Sequence, residues 1–273
     1  MNEGSVHKFA VSFAALPTRI GRLTDFIAKI DRWKIQPDRI FLVVSPYYHR
    51  LKLSLEPSQL PAALSSHPKL EILWREDLGP INKLFWVLKE RSREFDSILT
   101  LDDDRDYPPS TSADLLDGAR RFESAVVCLR GRQLDESLRY LKSRTLITSR
   151  QAEPVDIALG TEGILYPTRL LGEPFFDRYL EMLEQYPFIR FVDDIYISGY
   201  LASHGVPRWV VPSSVRVGDF PAYPRYLRAF RKLIKHVFQN CGYPLDDSLW
   251  GINSDGDNND QAIRLWSEAW RSV

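Results

Sequence analysis

Short apolar runs of strand character alternate with stretches whose apolar residues recur at helical spacing through the first half of the chain. This alternation is the strongest constraint on its fold. Phe9-Ala10-Val11-Ser12-Phe13-Ala14 has the composition of a buried strand, and residues 24–33 follow with Phe26, Ile27, Ile30 and Trp33 at helical spacing. Further strands are expected at 40–44, 70–74, 97–101 and 125–129, with helices at 82–91 and 112–122 between them. Successive βα units of this kind pair in parallel through crossovers. The expected fold class is therefore α/β, a Rossmann-type, mainly parallel sheet flanked by helices on both faces. Ligands of such sheets gather at the carboxyl ends of the strands.

The second half is more mixed. An irregular strand is expected at 146–148, followed by Gly160-Thr161-Glu162-Gly163-Ile164-Leu165-Tyr166-Pro167. The pattern predicts a helix over 195–202 that stops at His204-Gly205, a strand at 209–211, a helix over 223–239, and a polar loop at 254–260 before a last short helix. No repeat and no dividing linker is visible, so a single domain over 1–273 is expected.

Composition narrows the function. Lys+Arg and Asp+Glu are both 36, so the formal net charge is zero, which argues against a general nucleic-acid binder. Cys128 and Cys241 are too few for a disulfide framework or a cysteine zinc site, and fit a reducing, cytoplasmic compartment. The first residues lack a basic start with an apolar run, so no signal peptide is expected, and no run approaches the length of a spanning helix.

The chemistry concentrates at Ile98-Leu99-Thr100-Leu101-Asp102-Asp103-Asp104, where a strand delivers three consecutive carboxylates. Adjacent carboxylates repel and resist desolvation, so a buried strand has no use for them. Oxygen ligands on a short turn suit Mg²⁺ or Mn²⁺, with coordination positions left for substrate phosphates. A solvated acidic turn is the plainer reading, but the apolar strand before the run and Tyr107-Pro108-Pro109 after it favour the metal–phosphate one.

Ser12-Phe13-Ala14-Ala15-Leu16-Pro17-Thr18-Arg19, Leu78-Gly79-Pro80-Ile81-Asn82-Lys83-Leu84, Leu101-Asp102-Asp103-Asp104, the 160–167 stretch and Val192-Asp193-Asp194-Ile195 occur in that order. Together they resemble the GT-A-fold, nucleotide-sugar-dependent glycosyltransferases of small bacterial and viral type. The resemblance runs from about residue 8 to residue 211. It implies a nucleotide-binding part over about 8–130 and an acceptor part over about 131–273. It also implies transfer of a sugar, as a hexosyl or deoxyhexosyl group, from a nucleoside-diphosphate sugar to a hydroxyl of a glycan or glycolipid.

The resemblance assigns the metal to Asp104, with Asp102 direct or through water, and places Asp103 at the ribose or sugar hydroxyls. It places Ala15 and Pro17 at the nucleotide, with Arg19 a further nucleotide contact. Asp194 becomes the base of an inverting reaction; the residues alone read Asp193-Asp194 as a helix N-cap, with a carboxylate that stays ionised. Lys83, opening a helix after Gly79-Pro80, is a diphosphate contact or a solvated lysine. Asp77 is a base or ribose contact or a surface acid. The lack of Cβ at Gly163 would let backbone approach the donor sugar or acceptor, with a plain turn as the alternative.

Trp33, Trp74 and Trp86 are read as core, Trp209 and Trp250 stay open, and Tyr47-Tyr48-His49 could border the nucleotide pocket. His236 is not expected to bind metal. The family's late histidine ligand has no evident equivalent, which leaves Asn258-Asn259 or water to complete the sphere. The 223–239 stripe is core with a solvated basic face or, alternatively, a peripheral contact with anionic lipid or a lipid-linked acceptor. Two other readings stand beside the enzyme: a sugar-nucleotide-binding protein without catalysis, and an Asp-x-Asp phosphohydrolase. Asp106, where the hydrolase pattern wants Thr or Val, counts against the latter. A nucleotidyltransferase lacks its Gly-rich basic loop at Ala14-Ala15-Leu16-Pro17.

Overall fold

The computed structural model describes residues 7–148, 151–214, 253 and 257–270. Its first strands are β1 (Phe9–Ala14), β2 (Arg39–Val44), the short hairpin β3 (Tyr47–Tyr48) and β4 (Leu53–Ser54), β5 (Leu70–Trp74) and β6 (Ser97–Asp102). There follow β7 (Val126–Cys128), β8 (Arg130–Gln133), β9 (Arg144–Ile147), β10 (Glu153–Pro154), β11 (Ile157–Ala158), β12 (Ile164–Pro167) and β13 (Arg208–Val210). The early helices are α1 (Leu23–Ile30), α2 (Ala62–Ser65), α3 (Asn82–Arg91) and α4 (Thr111–Arg121). The later ones are α5 (Glu173–Gln185), α6 (Asp193–Ser203), α7 (Asp257–Leu265) and α8 (Ser267–Trp270).

Eight strands form the main sheet in the order β10-β13-β7-β12-β6-β1-β2-β5. The block β6-β1-β2-β5 is parallel throughout, as is β13 with β7, while β12 runs antiparallel to both β6 and β7 and β10 antiparallel to β13. The fold is thus an α/β architecture with a mainly parallel central sheet, as expected. The strand expected at 146–148 is β9, and it belongs to a separate sheet of order β11-β8-β9.

Strand alternation explains why helices cover both faces. Phe9, Val11 and Phe13 of β1, Ile40, Leu42 and Val44 of β2, and Leu99 and Leu101 of β6 share one cluster with Leu23, Phe26, Ile27 and Ile30 of α1 and Leu115 and Leu116 of α4. The intervening Ala10, Phe41, Val43 and Ile98 pack instead with Leu84, Phe85, Val87 and Leu88 of α3 and with Phe175, Phe176 and Tyr179 of α5. Phe85 is fully buried and lies against Phe175, Phe176 and Tyr179, so truncating it to alanine would cost about 3–5 kcal/mol.

Helix α6 is apolar on nearly every side, and such a helix must be enclosed. Tyr196, Ile197 and Tyr200 face the α3/α5 cluster, while Ile195 and Ala202 join Ala262, Ile263 and Trp270 of the C-terminal helices. A Cβ on Gly199 would stand 2.2 Å from Trp266 Cδ1, so a glycine is needed for Trp266 to lie this close to α6. The helix carrying Asp193 and Asp194 is thereby clamped between two packed layers.

Two expectations change. Asp193 and Asp194 lie inside the first turn of α6; its N-cap is Val192, which offers no side-chain oxygen. Residues 257–260, expected as loop, begin α7. Trp33 is buried and Trp74 and Trp86 pack against the core as expected, while Trp209 stacks on Phe122 with ring centroids 4.5 Å apart. The 223–239 stripe, with its basic face, membrane reading and His236, lies outside the described residues, as do Trp250 and Cys241. Among the described residues no helix is long and apolar enough to cross a membrane.

Candidate functional site

Register brings four segments together at the carboxyl end of β6. Ile164 of β12 lies opposite Thr100, so the turn at 160–163 that precedes β12 sits over the end of β6, where Asp102 is. Ile164 is also opposite Cys128 of β7, which sets the same turn beside Arg130. The first turn of α6 is fastened to it, because Gly160 N–H donates to Asp194 Oδ2 at 3.0 Å. From the α3 face comes Lys83, in the first turn of the helix that leads into β6.

Lys83 is buried, and its Nζ lies 2.8 Å from Asp102 Oδ1 and 3.1 Å from Asp193 Oδ2. Burial pulls its pKa down, but Asp102, Asp193 and Asp194 together hold it well above the usual lysine value. Asp102 is opposed in the same way: burial raises it, and the Lys83 ammonium outweighs burial and holds it low. Asp194 has the opposite balance. Burial and the neighbouring Asp193 push it up to about 8 against the pull of Lys83, and its Oδ1 has no hydrogen-bond partner among the described residues. The expectation of a carboxylate kept ionised at a helix start is corrected here, because burial and a like charge outweigh the helix end.

A second charged group adjoins the first. Arg19, on the 3₁₀ turn Pro17–Arg22, reaches Asp103 Oδ1 at 2.6 Å and Asp104 Oδ2 at 3.1 Å. Burial raises Asp103 to about 6, Arg19 opposing and Asp104 and Asp102 adding to it, and Asp103 Oδ2 has no hydrogen-bond partner among the described residues. Asp102 N–H donates to the Tyr107 hydroxyl oxygen at 2.7 Å, which fastens the acidic turn. Ala15 is buried beside this group, its carbonyl accepting from Tyr48 O–H at 2.7 Å, and Pro17 opens the turn that carries Arg19. Tyr48 is therefore core, whereas Tyr47 is exposed and meets His49 edge to face.

One site expectation is relocated. Gly163 has φ +97°, and a Cβ there would meet Leu99, Leu101 and Leu115; it serves the turn and faces the core. The glycine that faces the carboxylates is Gly160, whose Cβ would lie 3.0 Å from Lys83 Nζ, 3.3 Å from Asp194 Oδ1 and 3.7 Å from Asp102 Oδ1. The Gly79-Pro80 turn does not offer a free Gly79 N–H, because it donates to Asp77 Oδ1 at 3.0 Å. Asp77 is buried and also accepts His49 N–H through Oδ2 at 2.9 Å, so its carboxylate ties two loops together.

The sequence reading missed Glu162, Arg105 and Arg130. Glu162 is 3% exposed; its Oε1 accepts Arg105 Nη2 at 3.0 Å and Arg130 Nη1 at 3.1 Å, and its Oε2 accepts the Thr161 hydroxyl. The signal available in sequence was the Glu inside Gly160-Thr161-Glu162-Gly163, a charged residue just ahead of a buried strand.

The acidic residues suit a divalent cation by their chemistry. Asp102, Asp103, Asp104, Asp193 and Asp194 gather around Lys83 and Arg19, and Asp103 and Asp194 each keep an oxygen with no hydrogen-bond partner among the described residues. Within the acidic run Asp102 and Asp104 reach solvent most, with side chains 28% and 34% exposed against 5% for Asp103. Among the described residues no group of three or more His, Cys, Asp or Glu side chains is placed to hold a metal ion by itself. Asn258, considered as a further ligand, donates to Asn253 Oδ1 at 3.3 Å from α7, and Asn259 is buried there.

No protein-family model matches this chain, and no curated protein does. Among solved structures it is similar to S. aureus TarS 1–349, at 17% identity and a TM-score of 0.41 over 60% of this chain and 48% of that one. The same protein in complex with UDP-GlcNAc gives 16% identity and 0.40, over 60% of this chain and 46% of the other. A 4-diphosphocytidyl-2C-methyl-D-erythritol synthase gives 14% identity and a TM-score of 0.39, covering 61% of this chain and 76% of that one. The chain spans less than half the length of the TarS chains it matches. At these scores the likenesses carry no argument about activity.

Proposed function

We propose that this protein is a nucleotide-sugar-dependent glycosyltransferase that moves a hexosyl or deoxyhexosyl group from a nucleoside diphosphate to an acceptor hydroxyl, with inversion. One observation supports the reading above the others. Carboxylates from the end of β6 and the start of α6 meet at Lys83 around Gly160, a residue whose missing side chain leaves that meeting point open.

Asp194 serves as the base. As the acceptor oxygen bonds to the anomeric carbon, its proton passes to Asp194, and the breaking carbon–oxygen bond leaves its electron pair on the diphosphate. A carboxylate raised toward pH 8 is a stronger proton acceptor once ionised, and its ionised fraction grows with pH. Lys83 and Arg19 supply fixed positive charge where the diphosphate departs, and Asp103, held by Arg19, faces the ribose or sugar hydroxyls. Mn²⁺ or Mg²⁺ on Asp104 and Asp102 would add Lewis-acid neutralisation of the leaving diphosphate. Ala15 and Pro17 border the nucleotide, and Asp77 acts on it by holding the adjoining loops. The acceptor is a glycan or glycolipid.

A panel of nucleotide sugars, screened by thermal shift with and without Mn²⁺, tests the reading, because a ligand that binds the folded state raises its melting temperature. Proton NMR of the first product then reads the anomeric coupling, or carbon–proton coupling for manno-configured sugars. An α-linked donor should give a β-linked product. No shift with any nucleotide sugar would overturn the reading, and retained configuration would remove Asp194 from its role.

A further inference from the structure

The Glu162 cluster is built unlike an ordinary surface ion pair. One nearly buried carboxylate accepts from two guanidiniums that arrive from different elements, Arg105 from the turn after β6 and Arg130 from β8. Arg105 is held a second time, its Nε donating to Thr161 O at 3.3 Å. With Thr161 occupying Oε2, Glu162 has both oxygens engaged, and it offsets only one of the two positive charges. The arginine side chains remain 18% and 28% exposed, while Arg130 Nε finds no partner among the described residues. Counted with Glu162 alone, the two arginines keep one positive charge, Arg105 also feels the charge of Asp102, and the result is a partly open pair of planar donors with little orientation left to lose. Glu162, which braces them, lies on the turn that also carries Gly160, whose N–H holds Asp194.

We infer that Arg105 and Arg130, braced by Glu162, form a binding site for a phosphate group on the acceptor, so that the hydroxyl presented to Asp194 belongs to a phosphate-bearing substrate. This rests on the glycosyltransferase reading and narrows its acceptor class. Two guanidiniums on separate elements can each donate to a different oxygen of one tetrahedral phosphate. The donor diphosphate has its own cations, Lys83 and Arg19, in the adjoining group. The phosphate could sit on a soluble molecule or on a lipid, and the chemistry of recognition is the same.

The test uses the full chain saturated with UDP and Mn²⁺, so that the donor phosphate positions are filled. Glycerol 3-phosphate is then titrated by calorimetry, with glycerol and acetate as comparators. Glycerol 3-phosphate should bind and the comparators should not. Arg130→Gln should weaken that binding about tenfold or more, as expected for loss of a charge-assisted hydrogen bond, while UDP affinity stays within about twofold. Arg105→Gln is the second variant should the first fail to fold, and Arg130→Lys should recover part of the loss. Sedimentation with phosphatidylglycerol against phosphatidylcholine vesicles separates the sources. Arg130-dependent capture by the former supports a lipid phosphate, and binding of glycerol 3-phosphate alone supports a soluble one.

Unchanged glycerol 3-phosphate binding in both glutamine variants would overturn the inference. So would a loss of UDP affinity with phosphate binding intact, because the arginines would then belong to the donor. Should no nucleoside diphosphate bind the wild-type protein, the glycosyltransferase reading falls separately. The same titration on the unliganded protein still decides the arginine site through its dependence on Arg130.

Discussion

Replacing Asp194 with asparagine separates what the carboxylate does for chemistry from what it costs the fold. Burial and Asp193 raise its pKa to about 8, whereas an unfolded aspartate titrates near 3.9. Between those values the folded protein retains a proton that the unfolded chain has released. Stability therefore falls as the pH rises from about 4 to about 8, and acidification over the same range restores it. At about 1.4 kcal/mol per pH unit, the upper limit of this cost is roughly 5–6 kcal/mol above pH 8. Asparagine carries no charge and keeps an oxygen for the Gly160 N–H, so Asp194→Asn should be more stable than the wild type at pH 8.5 by about 2–5 kcal/mol. Near pH 4 the two proteins should be equally stable. Urea denaturation with EDTA at pH 4.5, 7 and 8.5 measures this without competition from divalent ions. Turnover should move the other way, falling about 10²–10⁴-fold with the loss of a general base. Wild-type turnover should rise with pH toward about 8, as Asp194 ionises. An asparagine variant less stable at every pH, or one that turns over normally, would refute the assignment of a buried, uncompensated base.

Asp104→Ala should abolish the Mn²⁺-dependent part of the melting-temperature shift produced by nucleoside diphosphate and leave the fold intact, since Arg19 keeps Asp103; an unchanged shift removes Asp104 from the metal. Gly160→Ala should displace Lys83 Nζ by a few tenths of an ångström and lower kcat/KM about tenfold with little change in melting temperature, and full activity would show that the gap at Gly160 is incidental. Gly199→Ala should force Trp266 off α6 and cost about 1–3 kcal/mol, read by urea denaturation together with faster proteolysis near the C-terminal helices; equal proteolysis would show that the C-terminal helices do not depend on that contact.

The burial of the Lys83 group explains why its residues were legible singly and misjudged together. Asp102, Asp104, Lys83 and Asp194 each stand in a short motif next to an apolar strand or helix, and local pattern suffices to place those. Their protonation balance depends on distances between segments remote in the chain: Lys83 meets Asp102 across 19 positions, and Gly160 meets Asp194 across 34. A solvated lysine and a capping aspartate were reasonable readings of Lys83 and Asp194 taken locally. Packing made the first a buried counter-ion and the second a carboxylate with too little positive charge around it.

Strand alternation in Phe9–Ala14 and Arg39–Val44 divided the side chains, from sequence alone, into two sets on opposite faces of the sheet, whereas packing decided which set meets which helix layer. The same periodicity placed Asp102 at a strand end. Sequence did not determine which glycine opens the site, because Gly160 and Gly163 are three apart in one turn and only the antiparallel register of β12 against β6 points one at the carboxylates and the other at Leu99 and Leu101. Nor did it reveal the Glu162 brace, whose two arginines come from elements that become neighbours only when β12 inserts between β6 and β7. Period and composition are properties of neighbours along the chain, whereas charge balance and register are properties of neighbours in space, and those came into being only when the sheet closed around them.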